Sequence, residues 1–451
     1  MRSKPNIILI NCDDLGWGDL SCYGHSIHRT PHLDQLAHEG MRFTDFCMAS
    51  PVCSPSRGAM LTGCYPRRIG FGEFEGRWVL FPGQPVGLNP EETTIAGMLK
   101  SEGYATRIVG KWHCGDQPEF LPTRHGFDGY YGIPFSNDMG RQHGKTDWPP
   151  LPLMRDEAVI EEQPDQVTIT ERYVEDSVRF VRENRDGPFF LYLAHMYVHL
   201  PIYVQERFLR ESRNGPYGGA VAAIDWVTGV LMAELRRLGI GDETMVLFTS
   251  DNGSRADFGP SNGYLRGRKG TTWEGGQRVP LIVRWPGVVP AGRTQSGIAA
   301  SIDLLPTIAA LTGANVPANR RIDGIDLSLL FTGKTDYSPR EDFYYYHRNV
   351  LEAVRVGDWK LHLRKGDVVI EELYDLRVDP GESQNRFHEE PARVAAMMET
   401  VEAARADLGD EATGQEGNVR PIGRVPAGRT LTEYDPEHPY YMAEYDLPDR
   451  G

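Results

Sequence analysis

The sequence predicts an α/β fold: a large, mostly parallel or mixed central sheet flanked by helices, followed by a smaller C-terminal unit with an antiparallel sheet and a helix. Three observations predict it. Short apolar, β-rich runs alternate with helical segments through most of the chain. The character changes near residue 340, where short strands follow one another without intervening helices. The length, 451 residues, exceeds one compact core.

The elements follow in order. "NIILIN", "ATRIVG", "FFLYLAH", "MVLFTS" and "PLIVRWP" are the strands, and "TIAGMLKSEG", "ITERYVEDSVRFVREN" and "GGAVAAIDWVTGVLMAELRRLG" the helices between them. Residues 134–165 are Pro-rich and poorly periodic, the mark of a long surface excursion of the kind that often carries function. "DFYYYHRN", "LEAVRVGDWKLHLRKG" and "VVIEELYDL" read as the antiparallel sheet, and "EEPARVAAMMETVEAARADLG" as its helix. The division expected is 1–340 for the large unit and 341–451 for the small one. An acidic, aromatic tail from residue 430 is expected to pack on a surface or on a neighbouring subunit, and a homo-oligomer is compatible with it.

Composition narrows the function. With 40% hydrophobic and 25% charged residues the chain is an ordinary globular one. Its formal net charge of −15 excludes a wholesale nucleic-acid partner, which needs a basic face. Any anion must therefore be met by a local cluster of Lys and Arg. The N-terminal apolar run is too short for a secretory signal, and no apolar run reaches the roughly 20 residues that span a bilayer. No membrane partner is expected. The six cysteines all lie within the first 114 residues, without a CxxC pair, which argues for reduced thiols and against zinc. The expectation is a cytoplasmic protein, or a periplasmic or secreted one if a signal precedes this numbering.

In α/β sheets ligands bind beyond the carboxyl ends of strands. Asp13 and Asp14 directly follow one strand, and Asp251 and Asn252 directly follow another. Either pair alone is explained as a turn former. Two pairs in equivalent places would repel unless a cation sits among them, and oxygen-only ligands suit Ca²⁺ or Mg²⁺. Lys111 and His113 follow "ATRIV", and Lys269 lies in a Gly-rich loop. Each can be aimed at a site from there, although a loop lysine is usually only solvated. His195 and His199 are four apart in what reads as a strand. That spacing separates them by roughly 13 Å, too far to share an ion. His199, nearer the loop, is the better site candidate.

Cys53 lies in "CSPSRGAMLTG". Ser54 is a good N-cap and Pro55 a good first helical residue. That places Cys53 at a helix mouth that favours anions, with Arg57 one turn in as a fork for a tetrahedral oxyanion. A thiolate nucleophile of the phosphatase kind fits poorly, since that loop has five residues between Cys and Arg and here there are three.

"CSPSRGAMLTG" resembles the signature of the formylglycine-dependent sulfatases, and "CDDLGWGDLSCYG", "GKWHCG", "TSDNG", "GRKGTTWEGGQRVPLIVRWPG", "SIDLLPTIAALTGA" and "LYDLRVDPGE" resemble further blocks of that family in its order. The match covers most of residues 4–385 and looks closest to the arylsulfatase A and N-acetylgalactosamine-6-sulfatase branch. The resemblance implies an alkaline-phosphatase-like fold and conversion of Cys53 to an aldehyde by a formylglycine-generating enzyme. It implies a divalent cation, usually calcium with Mg²⁺ the alternative, on Asp13, Asp14, Asp251, Asn252 and modified Cys53. Arg57 would hold the hydrated aldehyde, Lys111 and Lys269 the sulfate, His113 a hydroxyl of the hydrate, and His199 the leaving-group side. Ser136 and His362 match substrate-contacting positions. The family usually has Arg where this chain has Cys64. The activity implied is hydrolysis of an aryl or carbohydrate sulfate monoester. The rivals are a phosphonate or phosphate monoester hydrolase and a non-catalytic binder of sulfated glycans. The pocket rim is expected from residues 71–85, including Arg77, from 134–165, and from the C-terminal unit.

Overall fold

The strand Asn6–Cys12 carries Ile7 and Leu9 into one hydrophobic core and Ile8 and Ile10 into a second. Successive side chains of a strand leave opposite faces, so a strand covered on both sides is apolar without alternation. The computed structural model describes residues 4–142, 145–255, 257–259, 261–318 and 320–440. Around Asn6–Cys12 it builds an 11-stranded sheet.

Along the sheet run Arg293–Gln295, Met41–Cys47, Arg278–Arg284, Thr244–Ser250, Asn6–Cys12, Phe189–Ala194, Ala105–Gly110, Gly129–Gly132, Pro152–Arg155 and Ala158–Glu162, with Ala299–Ala300 also on Met41–Cys47. The five from Thr244–Ser250 to Gly129–Gly132 are mutually parallel. Arg278–Arg284 and Pro152–Arg155 join that block antiparallel. The helices Cys53–Thr62, Ile95–Ser101 and Leu304–Thr312 share the core of Ile7 and Leu9. Pro31–Glu39, Ile169–Glu183 and Gly215–Arg237 share the other.

Gly215–Arg237 corrects one expectation. At 23 residues it is long and apolar enough to cross a membrane by length and composition, yet 78% of its most apolar window is buried inside the molecule. It is apolar because it shares a core with one face of the sheet and packs against three helices, Pro31–Glu39, Ile169–Glu183 and Glu206–Glu211.

The second unit is a four-stranded antiparallel sheet, Asp342–His347, Val350–Val356, Trp359–Lys365 and Val368–Asp375 in sequential order, with the helix Pro391–Leu408 burying Met397, Val401, Ala404 and Leu408. Its core also takes in Cys47, Ala49, Ala59, Tyr65 and Ile302 from the large unit. Two buried ion pairs cross the same boundary. Arg355 grips Asp45 in a bidentate fork at 2.8 and 2.7 Å, and Lys360 reaches Glu274 at 2.8 Å.

The chain then turns back. Arg420 pairs with Glu92 at 2.7 and 2.8 Å, Gly423–Arg424 adds antiparallel to Val86–Gly87, and Tyr434 lies under the Arg141 guanidinium. The tail expected from residue 430 thus lies against the large unit as far as 440, and residues 441–451 fall outside the described residues.

Candidate active site

Four adjacent parallel strands end on one edge of the sheet, and the residues just past them converge there. Asp13 and Asp14 follow Asn6–Cys12, and Asp251 and Asn252 follow Thr244–Ser250. Lys111 and His113 follow Ala105–Gly110, and His199 comes five residues after Phe189–Ala194. All seven are buried. Two hold backbone that non-glycine residues rarely adopt, Asp14 at φ 61° and His113 at φ 59°. Such strain costs about 1–3 kcal/mol each and persists where the surroundings force it, commonly at functional sites.

Cys53 is the first residue of the helix Cys53–Thr62, which starts two residues earlier than the sequence suggests. Ser54 is not the cap; its hydroxyl accepts from the Leu80 amide at 3.1 Å. Pro55 stands third, where its missing N–H leaves nothing unpaired in a first turn. Gly58 follows Arg57 because a Cβ there would come within 2.7 Å of the Phe71 ring.

The Cys53 thiol lies 3.3 Å from Asp13 Oδ1. Arg57 donates from Nε to Asp251 at 2.8 Å and from Nη1 to the Lys111 carbonyl at 2.9 Å, while its Nη2 has no hydrogen-bond partner among the described residues. Lys111 donates to Asp13 and, at 2.7 Å, to Ser136 Oγ. Lys269 donates to Asp14 at 2.8 Å, as does the Asn252 amide at 2.7 Å. His113 Nε2 sits 3.0 Å from the Leu80 carbonyl, leaving Nδ1 buried without a partner among the described residues. His199 bonds through Nδ1 to the Leu200 carbonyl and brings Nε2 to 3.9 Å from Asp14. His195 is buried just after its strand, and its Nε2 has no partner among the described residues.

The electrostatics follow from burial and these neighbours. Burial, then Asp13, push the Cys53 thiol well up, so it is not a thiolate. Burial raises the Asp13 carboxyl, but Lys111, His199 and Arg57 outweigh it and hold Asp13 well below the usual range. Asp251 goes the other way: burial and Asp13 lift it to about 7 against the pull of Arg57. Burial and Lys111 keep His113 neutral, and burial and Lys269 lower His199.

One oxygen or sulfur atom from each of Asp13, Asp14, Cys53 and Asp251 lies within 4.8 Å of the others, as do atoms of Asp13, Cys53 and His199. A hard divalent cation fits this set. The donors are mostly carboxylate oxygens, Asn252 Oδ1 is buried without a hydrogen-bond partner among the described residues, and burial and Asp13 raise Asp251 in spite of Arg57.

A cavity of about 390 Å³ opens over the cluster, lined by Cys53, His113, Ser136, His199 and Lys269 together with Trp78, Phe81, Asp138, Met139, Arg255 and Arg268. The stretches 71–85 and 134–165 supply wall residues, as their composition suggests. Arg77 does not line it; its guanidinium lies 4.2 Å over the Phe81 ring. The C-terminal unit supplies no lining residue among those described, contrary to expectation.

His362 is the clearest displacement. It is fully buried, with Nε2 2.6 Å from Glu382, in a network where Lys360 joins Glu382 to Glu274. Its ring lies 4.2 Å from that of Trp273, so it supports the Gly-rich loop of Lys269 from behind and does not face the cavity. Two lining residues, Arg255 and Arg268, escape the sequence reading. The signal was present: "RGRKG" places Arg268 beside Lys269, on a chain whose net charge is strongly negative.

Acids, an amide and a neutral thiol gathered at strand ends, with two lysines and an arginine among them, define a hydrolase of anionic esters built around a cation-binding cluster. Comparison with known proteins makes the class particular. The Sulfatase family model matches residues 5–314, and that of the N-sulphoglucosamine sulphohydrolase C-terminal region matches 268–407. Human arylsulfatase A is 40% identical over 84% of this chain and 83% of its own length. Rat N-acetylgalactosamine-6-sulfatase is 40% identical over 80% and 71%. The crystal structure of Ps i-CgsB in complex with k-i-k-neocarrahexaose superposes with a TM-score of 0.80 at 31% identity, covering 89% of this chain and 92% of that one. The chain belongs to the sulfatase family and is an enzyme acting on sulfate monoesters.

Proposed function

We propose that this chain hydrolyses aryl or carbohydrate sulfate monoesters with Cys53 converted to formylglycine by a formylglycine-generating enzyme. Asp13, Asp14, Asp251, Asn252 and an oxygen of the modified Cys53 would hold Ca²⁺, with Mg²⁺ the alternative. When bound, the cation supplies a Lewis acid and the aldehyde hydrate a hydroxyl nucleophile.

The chain's own residues do the rest. Lys111 and Lys269 neutralise and orient the sulfate oxygens, with Ser136 held in place by Lys111. Arg57, fixed by Asp251 and the Lys111 carbonyl, keeps Nη2 for an oxygen at position 53. The Leu80 carbonyl accepts a hydrogen bond from Nε2–H of His113, so the Nδ1 lone pair is the base that removes a proton from a hydroxyl at position 53. The leaving oxygen takes its proton from His199 or Lys269: His199, with Nδ1–H tied to Leu200, offers Nε2, where Asp14 at 3.9 Å partly offsets the lowering by burial and Lys269, and Lys269 is kept charged by Asp14.

The carrying observation is the cluster of Asp13, Asp14 and Asp251 on a thiol that burial keeps neutral. Mass spectrometry of the Cys53 peptide, paired with turnover of an aryl sulfate and an aryl phosphonate before and after chelation, tests the reading. Loss of the sulfur, preference for the sulfate and chelator-sensitive turnover are expected. An intact thiol in fully active protein would overturn it.

A further inference from the structure

The mouth of the cavity gathers cations on a strongly acidic molecule. Its lining includes Arg255, Arg268 and Lys269 and one carboxylate, Asp138, with Asp257 and Asp14 set behind the cations, on a chain of net charge −15. Lys269 is engaged below with Asp14. Arg268 is different: it makes no side-chain hydrogen bond among the described residues, and its side chain is 64% exposed. Arg255 and Arg268 both stand over Asp257, at 3.0 and 3.8 Å, so one carboxylate gathers two guanidinium groups at the entrance. Beside them Trp78 presents a 43% exposed indole to the cavity. Gly270, at φ +81°, makes room for it, since a Cβ there would stand 3.1 Å from the indole ring.

Nothing in the hydrolysis itself needs this pair. The scissile sulfate has Lys111 and Lys269 within the cluster, and Arg57 serves position 53. Two forked cations at the mouth of an otherwise acidic molecule match a second anion on the same substrate, which either guanidinium can bind bidentately. We infer that the substrate carries a second anionic group, a carboxylate or a further sulfate, held by Arg255 and Arg268 beside a ring lying on Trp78. This rests on the sulfatase reading above and narrows its substrate to polyanionic ring compounds, acidic sulfated saccharides among them.

The test uses the full-length enzyme with Cys53 conversion verified, and the Arg255→Ala/Arg268→Ala double variant. Three probes are compared: 4-nitrophenyl sulfate, its ring-carboxylated analogue and an aryl disulfate. Reporting each dianion against 4-nitrophenyl sulfate, and then variant against wild type, cancels leaving-group effects. The preference for the dianions is expected to fall roughly tenfold in the variant, through KM, and wild type alone should lose that preference as salt is raised. An unchanged preference in the variant would overturn the inference. If the converted enzyme hydrolyses none of the three, the functional reading fails instead. Calorimetric binding of the same anions then decides the subsite: tighter dianion binding lost in the variant supports it, and equal affinity sinks it.

Discussion

His113 shows how a single contact sets a chemical role. An imidazole can lose or gain a proton at either nitrogen, and the Leu80 carbonyl removes that choice by accepting a hydrogen bond from Nε2–H. The base is then Nδ1, in a residue whose backbone is held at an uncommon φ to put it there. His113→Ala is expected to lower kcat by about 10²–10⁴ with little change in KM, measured on converted enzyme with an aryl sulfate. Lys111→Ala removes a cation from Asp13 and from the sulfate alike, and a loss of about 10²–10³ in kcat/KM is expected. These residues were legible in the sequence because each sits one to three positions beyond a strand, where direction is fixed by the strand. His199 was harder, since four residues of irregular chain separate it from its strand. His362 was misplaced because its partner, Glu382, lies twenty residues away, beyond the next strand, and only the folded sheet brings the two together.

At the scale of elements, buried carboxylates show where helices are anchored. Asp225, on Gly215–Arg237, accepts from the Leu33 amide at 2.8 Å in the first turn of Pro31–Glu39. Burial lifts its carboxyl from 3.8 to about 7. The folded chain therefore keeps a proton that the unfolded chain releases, and stability falls as pH rises from about 4 to 7. Asp225→Asn keeps an oxygen for Leu33 and removes that slope. Urea midpoints at pH 5 and pH 7.5 should differ less in the variant than in wild type. Strands and helices were largely legible because periodicity and alternation are local. The start of Cys53–Thr62 was not, since Ser54 looks like a cap until the Leu80 amide claims its hydroxyl. The cavity mouth drew on four loops, around residues 78–81, 136–139, 255 and 268, and no local pattern announces such a meeting.

The whole molecule depends on the seam between its two sheets. Burial opposes the charge on Asp45, but Arg278 and Arg355 overcome it and bring its carboxyl down to about 2 from 3.8. Its contribution is complete above about pH 4 and is lost as pH falls towards 2. Asp45→Asn leaves the Arg355 fork partly unpaired inside the seam and is expected to cost about 3–5 kcal/mol near neutral pH, by denaturant unfolding. The difference from wild type should shrink below pH 4. The same seam has a consequence in time. Cys53 is 1% exposed, its helix packs through Ala59 into the core shared with the second sheet, and the returning chain at Gly423–Arg424 closes over Val86–Gly87. None of that closure exists while the ribosome is still making the C-terminal third. At ordinary elongation speeds Cys53 is in the open for roughly half a minute. Conversion during that interval reaches a loose chain, and conversion after it must first unlock a finished one. Co-expression with the converting enzyme should therefore succeed where later addition to the folded protein fails, which intact-mass measurement would read directly.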